Sequence, residues 1–209
     1  MTLYEFAYET GSNAEAHGAN WTAQTFTIGT VGTDEIFNLT SIKLKLYKEG
    51  NPGTVSIALK AVDVSNDPTG ADLSTGTTTG NDLTTSSTGE DRDVTMTTYE
   101  MQASTQYAVL IKALSGNATN SVHNVMDFGG GGYTGGETLL STDSGGSWTP
   151  LATSDSWFEV HGDKPGTNTQ INIGDTWKEI SAMKLNIGDV WKEVSSAQLN
   201  IGDTWKSLF

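Results

Sequence analysis

The stretch of this chain whose residue types and spacing could most readily do chemistry is Ser141-Thr142-Asp143-Ser144-Gly145-Gly146-Ser147-Trp148. A carboxylate at Asp143 can tie down backbone N–H groups, Gly145 can take a positive φ, and the Trp148 ring can pack beneath. The expected role of Asp143, Gly145 and Trp148 is therefore a structural hairpin turn. Gripping an acidic substrate would need clustered guanidinium groups, and the chain holds one arginine, Arg92. Residues 129–132 and Gly135-Gly136 flank Tyr133 with glycine. A phosphate cradle needs a strand–loop–helix setting and usually a following Lys, and the sequence offers neither. A turned loop is expected, with display of Tyr133 to a ligand as the alternative.

His17, His123 and His161 lack ligand spacing and there is no Cys, so no zinc site is expected. The acid-rich residues 63–72 and 90–93 could offer oxygens to a structural calcium, but no twelve-residue calcium loop is present. No other cofactor is expected. No acid pair stands out for glycoside hydrolysis, so the chain is expected not to be an enzyme. Trp21, Trp148 and Trp157 have rings that suit the C–H face of a pyranose, although a Trp in a β-sandwich is more often core. Tyr133 and Trp148 are the candidate glycan contacts.

The elements that must position these groups are strands. The 209 residues are 35% hydrophobic and 17% charged, with 24 Gly. Thr, Ser and Asn fill the difference, which suits strands and turns rather than helices. The net charge is −14, which repels phosphate backbones and excludes nucleic acid as a partner. The opening MTLYEFAYET has no basic segment followed by an apolar run, and no stretch approaches a membrane span. Synthesis in a cytoplasm without membrane insertion is expected. Asn20, Asn38 and Asn117 begin N-x-[ST] triplets, as chance provides in a chain this rich in Thr.

Period-2 alternation predicts eight strands, over residues 3–8, 21–28, 39–47, 55–62, 93–99, 106–114, 122–128 and 157–161. In LTSIKLKLY, Ile42, Leu44 and Leu46 share one face, and Lys43 and Lys45 the other. At the last strand, Phe158 and Val160 share one face while Trp157 and Glu159 share the other. Residues 64–92 are expected to be surface loop with at most one short strand. The fold class expected is all-β: an antiparallel, jelly-roll-like β-sandwich over residues 1–163, a linker at 164–169, and a small three-hairpin repeat tail at 170–209.

AQTFTIG, LTSIKLKLYKEGNPGTVSIAL, TQYAVLIKA, GGYTGGETLLSTDSGGSW and DSWFEVHG together resemble β-sandwich modules of bacterial surface proteins and phage virion proteins. Those modules are similar in shape to carbohydrate-binding jelly rolls. S-x-D-x-G-x-x-W resembles the Asp-box of sialidases, where it is a structural hairpin. The lone Arg92 rules out sialidase chemistry.

INIGDTWKEI, LNIGDVWKEV and LNIGDTWKSLF recur with a period of 14, which marks three copies of one small unit. Gly-Asp at Gly174-Asp175, Gly188-Asp189 and Gly202-Asp203 predicts two-residue hairpin turns. Ile187 would then pair with Val190, Asn186 with Trp191, Leu185 with Lys192, and Lys184 with Glu193. A continuous meander would set Trp177, Trp191 and Trp205 about 10 Å apart in a ladder, with Ile173, Ile187 and Ile201 on the opposite stripe. Such a sheet cannot bury both faces by itself, so assembly or anchoring is the expected task of these six residues.

Tandem NIGDxWK repeats resemble those closing phage virion proteins of fibre and decoration type. The resemblance implies a virion-surface structural protein, made in the host cytoplasm, that forms a homo-oligomer, meets other virion proteins and touches host surface glycans. The rival expectation is a carbohydrate-binding or adhesion module of a bacterial surface protein.

Overall fold

The computed structural model describes residues 2–165 and, beyond them, the strand backbones within residues 170–207. The chain divides into two compact units, Met1–Lys164 and Pro165–Phe209.

The first unit is all-β. Among the described residues its strands are β1 (Thr2–Ala7), β2 (Ser12–Ala16), β3 (Trp21–Thr27), β4 (Phe37–Glu49), β5 (Thr54–Val62), β6 (Pro68–Thr79), β7 (Glu90–Met101), β8 (Gln106–Lys112), β9 (Ser121–Met126), β10 (Thr138–Ser141), β11 (Thr149–Leu151) and β12 (Phe158–Asp163). They form two antiparallel sheets in a β-sandwich-like arrangement. One sheet runs β11-β10-β3-β8-β5-β6. The other is built on β4, the thirteen-residue strand that carries the cleanest alternation. One edge of β4 pairs with β7. Its other edge pairs with β12 as far as Leu44 and with β9 from Leu46 onward. β12 and β9 thus share one row, and β1 and β2 share the next.

Four of these strands, β2, β6, β10 and β11, lie outside the eight predicted segments. The largest correction is at residues 64–92. There β6 pairs along most of β5, although its residues are mainly exposed, with Thr the commonest. An edge strand can hold by its ladder alone, and such a strand carries no hydrophobic period to read. β6 also approaches β7, the edge of the opposite sheet. Ser74 Oγ is hydrogen-bonded to Thr97 O, and Thr75 N–H donates to Thr97 Oγ1 at 2.9 Å.

The core lies between the sheets. Tyr4, Leu39, Ile42, Leu44, Leu46, Phe158 and Val160 meet Phe26, Val55, Ile57, Leu59, Val109 and Ile111 there. Each large side chain buried in this way stabilises the fold by about 1.5–3 kcal/mol. Phe158 touches Phe26 across the sandwich at 5.4 Å between centroids.

Two buried polar devices sit in this frame. Glu5, fully buried in β1, accepts N–H groups from Gly29 (2.8 Å), Thr30 (3.1 Å), Val31 (2.9 Å) and Gly32 (3.4 Å). One carboxylate thus organises the turn after β3. Thr22 and Gln24 alternate with Phe26 on the inner face of β3 and would be unpaired in an apolar core. Instead Thr22 Oγ1 donates to Asn124 Oδ1 (3.1 Å), and Asn124 donates to Ser156 Oγ (2.7 Å). Gln24 accepts from Thr138 Oγ1 (2.8 Å) and donates to Asp155 Oδ1 (2.9 Å).

Burial pushes the Asp155 carboxyl up to about 6. The folded state therefore keeps a proton that the unfolded chain releases. This stability is fully present below about pH 4 and is lost as pH rises through about 6. Asp155→Asn keeps an oxygen for Gln24 and removes the titration. It is expected to be more stable than the parent by roughly 2 kcal/mol at pH 7.5, with the gap closing at pH 4. Urea midpoints at the two pH values check this.

In the second unit, β13 (Gln170–Ile173) pairs with β14 (Thr176–Glu179), β15 (Lys184–Ile187) with β16 (Val190–Glu193), and β17 (Gln198–Ile201) with β18 (Thr204–Ser207). In the middle copy Ile187 faces Val190, Asn186 faces Trp191, Leu185 faces Lys192 and Lys184 faces Glu193. Among the described residues, however, each copy is its own two-stranded sheet. Among the described residues no ladder joins one copy to the next, so the conditional meander with its Trp ladder has no strand pairing beneath it there. The turn residues Gly174, Asp175, Gly188, Asp189, Gly202 and Asp203 lie outside the described residues.

Candidate functional site

Alternation along β3, β5 and β8 sends Phe26, Ile57 and Val109 inward and leaves Ala23, Ala58, Ala108 and Leu110 on the outer face of the sheet. These four and Leu139 form a second, smaller buried cluster, against which Trp21, Val62 and Trp148 pack. The result is an open groove of about 490 Å³, lined by Trp21, Trp148, Lys60, Lys112 and Asp72 together with the loops around residues 67–70 and 144–147. That volume lies within the range of small-molecule sites. Leu110 is the member of this cluster that lines the groove, beside the two indoles.

The Asp143 turn builds one wall. It joins β10 to β11. Ser147 Oγ donates to Asp143 Oδ2 (2.7 Å), Ser147 N–H to Asp143 Oδ1 (2.9 Å) and Ser141 Oγ to Asp143 Oδ1 (2.8 Å). These bonds, led by that from the Ser147 hydroxyl, hold the Asp143 carboxyl down to about 2. Gly145 has φ +81°, and a Cβ there would meet Trp21 Cζ3 at 3.0 Å and Trp148 Cζ2 at 3.4 Å. Glycine thus lets the turn close onto both rings. The Trp21 indole N–H donates to Gly18 O at 3.0 Å, which fixes that ring. The Trp148 N–H is buried without a partner.

Beside the indoles the groove is charged. Lys60 Nζ lies 3.2 Å from Asp72 Oδ1, and Lys112 Nζ lies 3.4 Å from Asp72 Oδ2. Lys112 Nζ also sits 5.2 Å from the Trp21 ring centroid, a cation–π contact. Lys60 donates in addition to Gly70 O. Asp63 Oδ1 is committed to the N–H groups of Ser65 (2.7 Å) and Asp67 (3.1 Å). Indole faces, ammonium donors, carboxylate acceptors and loop hydroxyls equip this groove to bind a polyol.

The remaining sequence candidates fall elsewhere. Tyr133 is corrected: it is buried, edge-on against Phe158 at 5.5 Å, with the Thr27 N–H donating to its hydroxyl at 3.2 Å. The glycines around it let the loop turn the ring inward, so no face is displayed to a ligand. Trp157 sits on the outer face of the other sheet, 5.3 Å from the Tyr8 ring and 5.2 Å from Lys45 Nζ. Phe158 and Val160 point into the core beside it. Beneath this face Glu159 accepts from Tyr8 (2.9 Å) and Lys43 (2.9 Å) and pairs with His161 (2.6 Å). Burial raises its pKa, and these three bonds outweigh that and leave it below the ordinary value.

His17 contacts Asn20, His123 contacts Ser121 and Asn13, and His161 contacts Glu159. Among the described residues no group of three or more His, Cys, Asp or Glu is gathered to hold a metal ion. Trp177, Trp191, Trp205, Ile173, Ile187 and Ile201 lie on the hairpin strands, and their side chains are outside the described residues.

Sequence reasoning passed over Lys60 and Lys112, and took Asp72 only as part of the acid-rich stretch 63–72. One signal was available: Ala58 and Lys60 on β5, and Ala108, Leu110 and Lys112 on β8, alternate onto one outer face that mixes apolar residues with lysine. No protein-family model matches the chain, and a search of curated proteins finds no significant match.

Proposed function

We propose that this is a non-enzymatic display and attachment protein, whose jelly-roll-like body presents a saccharide-binding groove and whose hairpin repeats hold it in an assembly. The observation that carries the reading is the groove, which brings Trp21 and Trp148 together with Lys60, Lys112 and Asp72. Pyranoses offer an apolar C–H face to aromatic rings and hydroxyls to charged groups, and this groove supplies both. The NIGDxWK repeats favour a phage virion as the assembly, in a fibre or decoration role, with the chain a homo-oligomer at the virion surface. The rival, an adhesion module of a bacterial surface protein, uses the same groove and retains it at a cell surface instead.

The test is calorimetric titration of the full chain with cellohexaose, maltohexaose and chitohexaose. At least one is expected to bind, and Trp148→Ala is expected to weaken it tenfold or more, about 1.4 kcal/mol. Tyr8→Ala, on the outer face of the other sheet, is expected to leave binding unchanged. Binding that survives Trp148→Ala would place the ligand elsewhere, and no binding by any hexasaccharide would sink the saccharide reading.

A further inference from the structure

We infer that the groove selects neutral oligosaccharides and rejects acidic ones, an inference that rests on the saccharide reading above. The argument is local charge. Of the side chains that line the groove, Lys60 and Lys112 are the cations, and both converge on Asp72, at 3.2 and 3.4 Å. Asp63 and Asp67 line the same groove, so two ammonium groups face three carboxylates. A uronate arriving at either lysine sits beside the Asp72 carboxylate, whether it shares the ammonium with Asp72 or displaces it, and in the same groove as Asp63 and Asp67. Like charges so placed repel, and the penalty grows as water is excluded.

The wider field acts in the same direction. Residues 1–169 hold 20 acids against 7 bases, and a cleft in an acidic surface lowers the local concentration of a polyanion.

A neutral sugar meets no such obstacle. An ammonium group has three N–H donors. Lys112 spends them on Asp72 and on the face of Trp21, which leaves donor capacity for a sugar hydroxyl. Each Asp72 oxygen receives a lysine and keeps a lone pair for a hydroxyl. The Asp72 carboxylate can therefore accept from two neighbouring hydroxyls of one ring while both lysines stay in place. The Lys60–Asp72–Lys112 bridge then acts as a prearranged hydrogen-bonding unit beside the indoles, and its one surplus positive charge is more than offset by Asp63 and Asp67 in the same groove.

The experiment titrates the full chain with cellohexaose, maltohexaose and chitohexaose and with hexagalacturonate and hexamannuronate, at 20 and 300 mM NaCl. The best neutral probe is expected to bind at least tenfold tighter than either uronate at 20 mM NaCl, where repulsion is least screened. Its affinity should change less than twofold between the two salts. Asp72→Asn, which frees both lysines, is expected to raise uronate affinity fivefold or more. A uronate that binds the parent chain as tightly as the neutral probes, and weakens with salt, would overturn the selectivity. Trp148-dependent binding of neutral probes would leave the groove standing in that case. Failure of all five probes would remove the saccharide reading and this inference together.

Discussion

Replacing Glu5 by alanine is expected to lower the stability of the sandwich by about 2–4 kcal/mol, because it strands buried N–H donors that cost roughly 1–3 kcal/mol each when unpaired. The Glu5 carboxylate is fully buried and receives N–H groups from four consecutive residues, Gly29 to Gly32. Alanine leaves those donors facing a void. The turn cannot simply swing out to water, because Gly32 is wedged against β1. A Cβ at Gly32 would lie 1.9 Å from Tyr4 O. Glu5→Gln is expected to fall between parent and alanine, since an amide offers one accepting oxygen and turns an NH₂ toward the remaining donors. Urea denaturation of the three proteins at pH 7 reads the order. A loss below 1 kcal/mol for Glu5→Ala would show that the turn finds other partners, and the anchoring role would fail.

The second large effect concerns mass. A chain ending at Gly166 is expected to be a monomer by light scattering, whereas the full chain is expected to be an oligomer. The hairpins have strands of four residues each, and an isolated two-stranded hairpin is marginal in water. Sequence alternation sets Leu185, Ile187 and Val190 against Trp191 across the middle hairpin, so neither face is wholly polar. Burial against other copies would stabilise three such units at once, which is the basis of the expected oligomer. The shortened chain is expected to melt as the full chain's sandwich does, because the core of Met1–Lys164 is its own. Equal masses for the two proteins would refute self-assembly through the repeats.

Local chemistry alone was enough for several features. The alternation of Ile42, Leu44 and Leu46 marks β4 and names its inner face, because side chains two residues apart must point the same way. The same rule separates Trp157 from Phe158. Asp143 and Gly145 announce their turn because the carboxylate–amide bonds and the positive φ involve neighbours only. The hairpin register of the repeats follows from a Gly-Asp turn and a 14-residue period, again within a few residues.

Tertiary structure decided what depends on distant partners. Nothing in β6 reveals a strand, because its hydrogen bonds are made with β5 and its side chains bury little. Tyr133 reads as a displayed ring until Phe158, 25 positions away, covers it. Thr22 and Gln24 would be assigned to solvent, yet Asn124, Thr138 and Asp155 give them partners inside. The groove is the same case. Lys60, Asp72, Lys112, Trp21 and Trp148 come from separate segments and share no spacing. Their meeting is a property of which strands pair, and strand pairing is set by burial and ladder hydrogen bonds across the whole sandwich rather than by any local pattern.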